Sequence, residues 1–332
     1  MHILIVTPAP KGSRLGNRIT ADRWARLLRT LGHRVELAES FEGQLYDVLV
    51  ALHARKSARS VSRFRRERQD APLIVVLTGT DLYRDLPRSV TAKRSIELAD
   101  RLIVLQKSAV DELPLAVRGK ARVIVQSAVP PRRPPKPLSD VLEVCVLGHL
   151  RTVKDPFRAA LAARRLPDSS RVRVTHVGTA LTPAMKRRAR AEMSRNPRYR
   201  WLAGVPHNQA LRVLARSQVL VNSSTMEGGA NAICEALACG VPVLSSRISG
   251  STGLLGEDYP GYFDVGDTAE LAELLCRFET DAGFRALLQT YVRRLRPLVS
   301  PKREREAWKQ LLAELNGVSR RRVADVHDSW KM

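Results

Sequence analysis

Val219-Leu220-Val221-Asn222-Ser223-Ser224-Thr225-Met226-Glu227-Gly228-Gly229-Ala230-Asn231-Ala232-Ile233-Cys234-Glu235-Ala236-Leu237-Ala238-Cys239-Gly240-Val241-Pro242-Val243 reads as strand, turn, helix, turn, strand. The apolar run before Asn222 suits a buried parallel strand. Gly228-Gly229-Ala230 carries little side chain to keep an anion from the backbone. A helix beginning near Asn231 aims free N–H groups and its positive dipole end at the same place. Glu227 stands at the strand exit and Glu235 one turn into the helix, so the two carboxylates flank the turn. They are placed to accept hydrogen bonds from hydroxyls on both sides of a diphosphate, and a nucleotide-sugar has that pattern. Two solvated carboxylates on a plain strand–loop–helix unit give the same text. The Gly-Gly turn, the following Cys239-Gly240-Val241-Pro242-Val243 and the late position in the chain favour the binding reading.

Working outward, strand runs alternate with helical patterns along the chain, which predicts parallel α/β layers. The first series of strands is read at 2–7, 34–38, 47–52, 73–78, 101–105 and 122–126. Thr20 is expected to cap a helix through Trp24, Leu27, Leu28 and Leu31, ended by Gly32. Pro130-Pro131-Arg132-Arg133-Pro134-Pro135-Lys136-Pro137 continues neither helix nor central strand, so it reads as a stiff connection. A second series follows at 142–147, 171–177, 200–202, 218–222 and 242–245, then helices at 268–279, 283–295 and 302–316. The expectation is an α/β chain of two Rossmann-like domains, 1–136 and 137–300, with a cleft between them. Residues 301–332 then hold a last helix and a frayed tail. Neither half has a clean G-x-G-x-x-G after its first strand, which argues against a nicotinamide or flavin dehydrogenase.

Composition bounds the rest. The 332 residues suffice for two ordinary domains. No apolar run is long enough for a transmembrane helix, and the first residues lack a signal peptide's cleavage region. The four cysteines show no paired metal-ligand spacing, so buried free thiols in a reducing cytoplasm are expected. The formal net charge of +23 is spread along the chain, with local concentrations at 63–68, 186–190 and 320–322. Solvated helix faces and general attraction of anions both account for these. A basic nucleic-acid-binding protein is the reading from another class. No zinc-finger spacing or aromatic-rich RNA-binding strand supports it, and no nucleic-acid partner is expected.

The quoted stretch resembles the donor-site signature of the retaining GT-B glycosyltransferases of family 4, the group 1 transferases. The resemblance implies a GT-B fold, with the last helix returning to the first domain, and a metal-independent enzyme with a UDP-sugar as co-substrate. It implies that Glu227 binds donor-sugar hydroxyls and Glu235 the ribose. Leu147-Gly148-His149-Leu150-Arg151-Thr152-Val153-Lys154 resembles the family's strand-end motif, whose Arg and Lys neutralise the departing diphosphate. Lys154 falls on the Lys position. His149 stands where the family has Arg, so Arg151 either supplies that charge or the role is weakened. Tyr199-Arg200-Trp201-Leu202-Ala203-Gly204 is similar to the strand whose backbone, here ending at Gly204, contacts the nucleobase. Ser223, Ser224, Gly228, Gly229, Ala230 and Asn231 fall at donor contacts. In the first domain, 12–20 takes the place of the family's glycine loop. That implies Gly16 at the donor phosphate and Arg14, Asn17 and Arg18 toward the acceptor. Strand ends carrying His53, Arg55, Lys56 and Thr80, Asp81, Arg84 fall on the acceptor side.

Three first-domain phrases, 6–18, 51–57 and 77–86, are similar to the selenosugar synthases of bacterial selenoneine biosynthesis. That narrower resemblance implies transfer of a hexosyl group from UDP-GlcNAc or UDP-glucose to the selenium of selenophosphate. Such an acceptor is anionic and already nucleophilic, so a cationic pocket of Arg14, Arg18, Arg55, Lys56 and Arg84 suits it without a dedicated base. The alternatives are a GT-B transferase to a glycan, lipid or metabolite hydroxyl, and a GT-B sugar-nucleotide epimerase.

Overall fold

A computed structural model describes residues 1–13 and 15–329, with side chains described through Leu315. The chain forms two compact units, Met1–Gln126 together with the segment from Lys302 onward, and Ser127–Pro301. The first contains β1 (His2–Val6), α1 (Gly16–Thr30), β2 (Arg34–Ala38), β3 (Val48–Leu52), α2 (Ala58–Glu67) and β4 (Leu73–Val76). A single π-helical turn, Asp81–Asp85, precedes α3 (Val90–Leu98), β5 (Arg101–Val104), α4 (Leu115–Arg118) and β6 (Ala121–Val123). The second runs β7 (Leu142–Leu147), α5 (Arg158–Ala163), β8 (Val172–Val177), α6 (Pro183–Arg195), β9 (Tyr199–Leu202) and α7 (His207–Arg216). It continues through β10 (Val219–Asn222), α8 (Asn231–Cys239), β11 (Val243–Ser246), α9 (Ser249–Leu255), β12 (Tyr262–Phe263), α10 (Thr268–Thr280) and α11 (Ala282–Leu295). α12 (Pro301–Ser329) closes the described chain.

Both sheets are parallel, in the orders β2-β1-β3-β4-β5-β6 and β12-β11-β10-β7-β8-β9. Helices cover both faces of the first sheet, so strands such as Val48–Leu52 are wholly buried and read as unbroken apolar runs. In each order there is one place where the winding reverses: between β1 and β3 in the first sheet, and between β7 and β10 in the second. Loops leaving neighbouring strands on opposite sides of such a reversal open a crevice at the carboxyl ends. That topology decides where the candidate site lies.

The helix α12 belongs to the first unit through two anchors. Trp308 is fully buried with its ring edge-on to Trp24, centroids 5.0 Å apart. Beside it the buried Glu304 accepts from Trp24 Nε1 at 2.7 Å and from Arg23 Nε at 3.3 Å. Farther along, Glu314 takes Arg122 at 2.7 Å and Arg101 at 3.1 Å, and the Arg122 hydrogen bond leads in holding its carboxyl below the usual range. The C-terminal helix thus returns to the first unit.

Some expectations need correcting. Thr20 does not cap α1. The helix begins upstream, at Gly16, and Arg18 in its first turn pairs with Asp22 one turn on at 3.1 Å. Thr20 is buried in mid-helix, where its hydroxyl accepts from Gln126 Nε2 at 2.6 Å. Gly32 does end the helix, at φ +85°. The two-residue strand β12 and the helix α9 have no counterpart among the elements expected from sequence. α12 continues to Ser329, beyond the expected stop near residue 316 and into the segment expected to fray. The division between units falls after Gln126, ahead of the proline connection rather than within it.

Removing the Trp308 ring leaves a cavity against Trp24 in the first unit. Trp308→Ala is expected to cost about 3–5 kcal/mol. Scanning calorimetry should show the first unit's transition moving down in temperature while the second unit's stays in place.

Candidate donor site of the second unit

β7 and β10 are neighbours across the winding reversal, with Val144 beside Val219 and Cys145 beside Leu220. Their exits carry the two most telling charges. Lys154 Nζ pairs directly with Glu227 Oε1, and Ser224 Oγ donates to the same oxygen at 2.6 Å. Both side chains are largely buried, at 19% and 9% exposure, so the pair is poorly screened by water.

The backbones are stapled as well. Ser223 Oγ lies 2.9 Å from the Asp155 carbonyl and 3.2 Å from that of Lys154, and the Thr225 N–H donates to Val153 O at 2.9 Å. The turn holding Lys154 ends at Asp155 in a left-handed conformation, φ +39°, one of two such non-glycine residues among those described. Its carboxylate holds Arg158 at 2.7 Å. Strain of this kind persists where surrounding bonds over-determine it.

Gly228 and Gly229 lead into α8 as expected. The N-cap, Ala230, offers no side-chain cap, and the first turn has no acidic residue. The first intrahelical bond is Cys234 N–H to Ala230 O, so the N–H groups of Asn231, Ala232 and Ile233 have no intrahelical acceptor. An uncapped helix end with its dipole and three donors suits an anion. Glu235 follows one turn on, its Oε1 3.5 Å from His207 Nε2 at the start of α7. Gly204, exposed at φ +68°, lies in the loop just before it.

Not every expected residue joins this group. Arg151 is exposed and makes no side-chain hydrogen bond or ion pair among the described residues. His149 instead serves its loop, its Nδ1 accepting from the Thr179 N–H at 3.2 Å.

In the first unit, Gly16, Asn17 and Arg18 form the first turn of α1 rather than a loop, and Arg18 is buried and paired with Asp22. Arg14 lies outside the described residues. At the β3 and β4 exits, Asp81 is fully buried and acts as a bracket. One oxygen accepts from the Thr78 and Gly79 N–H groups at 2.9 and 2.8 Å, the other from Ala54 N–H at 3.0 Å. In the structure Asp81 holds these loops together. His53 is buried at φ +75°. Its Nδ1 accepts from the Lys56 N–H at 3.3 Å, which leaves the proton on Nε2 to donate to Thr80 Oγ1 at 3.2 Å. Burial, the largest influence, lowers its pKa, against the opposing pull of Asp81 and Asp85. Lys56 is exposed. Arg55 and Arg84, each about half exposed, both bond Asp85, at 3.1 and 3.2 Å. These two bonds outweigh burial and hold the Asp85 carboxyl below its ordinary range.

Sequence reasoning missed Asp85, and two residues that shape the second unit's site. A Cβ on Gly250, in α9, would sit 2.2 Å from the Glu227 carbonyl, so only glycine lets α9 back directly onto Glu227. Beneath the 148–154 loop, His176 is buried, its Nε2 on Gly148 O at 3.0 Å and its Nδ1 at Tyr199 Oη, 3.1 Å away. Burial lowers its pKa to about 4. Neither has a local sequence signal, since both are defined by contact with a distant loop.

Residues 132–295, just under half of the chain, match the family described as Glycosyl transferases group 1. Glycosyltransferase 1 domain-containing protein 1 of Xenopus tropicalis is 30% identical over 121 residues, 36% of this chain and 35% of that protein. A phosphatidylinositol N-acetylglucosaminyltransferase component from Arabidopsis thaliana is 28% identical over 127 residues, 37% of this chain and 28% of that protein. The aligned stretches thus span well under half the length of either relative. Among solved structures, Anabaena HepE in complex with UDP has a TM-score of 0.73 at 16% identity, covering 94% of this chain and 99% of that one. The same protein in complex with UDP-glucose has a TM-score of 0.72 at 17% identity, covering 95% and 100%. The fold is therefore GT-B, and the group 1 match falls within the second unit.

Two outcomes follow from the local geometry. Gly250→Ala should push the Glu227 backbone aside and cost about 1–3 kcal/mol. Urea denaturation reads that loss, and Gly119→Ala serves as the comparison because open space surrounds it at an ordinary φ of −60°. His176 titrates near 6.5 when unfolded and near 4 when folded. Its contribution is complete above pH 6.5 and is lost as pH falls toward 4, about 3 kcal/mol in all. His176→Gln should flatten the denaturation-midpoint slope over that window.

Proposed function

We propose that this protein is a UDP-sugar-dependent glycosyltransferase that moves a hexosyl group, N-acetylglucosamine or glucose, to the selenium of selenophosphate. The observation that carries the donor half is the Lys154–Glu227 pair at the β7/β10 reversal, beside the uncapped end of α8. A UDP-sugar offers what each group lacks. Its diphosphate takes Lys154 and the α8 N–H groups, and its sugar hydroxyls take Glu227 once the ammonium leaves it. Glu235 receives the ribose. When the bond from the anomeric carbon to the phosphate oxygen breaks, UDP departs with the electron pair, and Lys154 and the α8 dipole stabilise the charge that develops. The selenium lone pair forms the new bond to the anomeric carbon, and attack of water on the Se–P bond of the product then releases phosphate and leaves a selenosugar that serves selenoneine formation.

Support for that acceptor comes from the first-domain phrases and from the chemistry around them. His53 is neutral, buried and engaged through both ring nitrogens, as suits an acceptor that needs no histidine base. Arg55, Arg84 and the exposed Lys56 supply cations, although Asp85 offsets part of that charge. HepE, with the same fold, was solved with UDP and with UDP-glucose, which favours a uridine donor.

Purified protein incubated with UDP-GlcNAc or UDP-glucose and selenophosphate should release UDP and give a hexose product with selenium's isotope pattern in the mass spectrum. UDP release indifferent to selenophosphate would keep the transferase and move the acceptor to another molecule, such as a hydroxyl compound. Glu227→Ala and Lys154→Ala should each lower turnover at least ~100-fold, about 2.7 kcal/mol at the transition state. Near-wild-type rates in both would remove the donor-site assignment.

A further inference from the structure

His53 stands between two buried carboxylates of the first unit without bonding either. Its Nδ1 lies 4.0 Å from Asp81 Oδ2 and its Nε2 3.9 Å from Asp85 Oδ2, both beyond hydrogen-bond reach. Asp81 is satisfied by backbone N–H groups, but Asp85 is not fully satisfied. Its Oδ1 takes both Arg55 and Arg84, while Oδ2 is buried and accepts no hydrogen bond. A buried carboxylate oxygen left bare costs free energy, and the imidazole is the donor placed to cover it. The charges around the ring come from two places. The turn after β3 brings Arg55 and Lys56, and the π-helical turn brings Asp81, Arg84 and Asp85. Three cations thus face two carboxylates. The Arg55 and Arg84 side chains are 55% and 52% exposed, and among the described residues neither guanidinium has a hydrogen-bond or ion-pair partner besides Asp85. Their remaining N–H groups are unspent.

We propose that this first-unit site binds a small doubly charged oxyanion together with one proton, which His53 takes from solvent between Asp81 and Asp85. The inference rests on the acceptor reading of Arg55, Lys56 and Arg84, and adds to it a dependence on pH. A doubly charged anion on those cations turns their small excess into a deficit of one charge, and one proton on the ring restores the balance. Protonated Nδ1 gives up the Lys56 N–H and turns to Asp81, and Nε2 donates to Asp85 in place of the Thr80 hydroxyl. No bond of the anion is made or broken in this step. In the free site burial, the largest influence, holds His53 below its ordinary range, so the ring is neutral near neutral pH. The bound anion places negative charge beside it and favours the charged ring. Affinity therefore rises as pH falls through the pKa of the bound state, and levels off once the free site is protonated too.

The test is titration calorimetry of the full chain with sulfate, which has no proton to exchange between about pH 5 and 8, where histidine titrates. The binding lost in Arg84→Ala is the binding to be read. Run in buffers of different ionisation enthalpy, it should show uptake of up to about one proton per sulfate, and about tenfold tighter binding at the acid end. His53→Asn should lose the uptake and bind alike across the range, since asparagine tolerates the left-handed φ of +75°. Asp85→Asn removes one carboxylate, so it should bind sulfate more tightly at the alkaline end and take up no proton. A variant that had only lost structure would bind more weakly, and that result overturns the proposal. Sulfate binding without proton uptake, or uptake that survives His53→Asn, also overturns it and leaves the anion site standing. If Arg84→Ala loses no sulfate binding, the acceptor reading of this site falls and the proposal falls with it.

Discussion

Lys154 and Glu227 reach one another from two strand exits that are neighbours only because the second sheet reverses its winding between β7 and β10. Opposite charges held this far from water attract strongly, but each loses hydration to be there. The arrangement is stable as a pair and costly as a single charge. The Ser224 hydroxyl adds a third member by donating to the carboxylate, and the Ser223 and Thr225 staples keep the two loops in register. In the proposed function the same balance makes the site selective for its ligand. A diphosphate alone takes the lysine and strands Glu227. A neutral sugar alone does the reverse. A molecule that brings phosphates and hydroxyls at the right separation relieves both, so the ion pair discriminates against either fragment by itself.

The constraint extends into the supporting residues. Glu227 can stay at its post only while α9 presses against its backbone, and that contact tolerates no side chain at Gly250. The loop bearing Lys154 is fixed from below by His176 and from the side by Gly178, whose missing Cβ would overlap the Gly148 carbonyl at 1.9 Å. Two glycines and a buried histidine therefore set where the charged groups meet. Rigid supports of this kind keep reacting groups aligned without reorganisation during the reaction.

How much of this can be read from the chain follows from the range of the interactions. The strand of Val219–Asn222, the small-residue turn and the helix of Asn231–Cys239 are local consequences of periodicity and turn chemistry, and they are legible. The Lys154 and Glu227 positions are legible through a resemblance of motifs, but their mutual contact is not, since it spans 73 residues and depends on sheet order. Gly250, His176 and Asp85 stay hidden for a similar reason: each matters through one contact with a remote backbone or side chain. Thr20 misleads because a good capping residue near a helix start resembles a cap whether or not the helix begins there. The helix starts upstream at Gly16, with Arg18 already paired to Asp22 inside it. At the β3 and β4 exits, His53, Asp81 and Arg84 read as one polar group. The fold divides them into a buried bracket and half-exposed cations held by Asp85.

The net charge of +23 looks at first like a signature of a polyanionic partner. Much of the arginine serves the fold instead. Arg216 grips the fully buried Glu143 through two bonds, at 2.7 and 3.0 Å. Arg65 bonds Asp100 at 2.6 Å and three carbonyls, and Arg164 bonds the buried Glu192 at 2.6 Å. Arg198 gathers carbonyls at and beyond the end of α5, including those of Ala163 and Pro167. A planar guanidinium satisfies several acceptors at once without losing its charge, which suits it to these places better than lysine. Arginine used in this way neutralises buried carboxylates locally, so it adds little field outside. Acidic residues are too few to match the rest, and the surplus remains as a diffuse positive field. Such a field raises the encounter rate for any small multiply charged anion without specifying it. Specificity has to come from sites where cations and carboxylates stand together, as Lys154 and Glu227 do in one unit and Arg55, Arg84 and Asp85 do in the other.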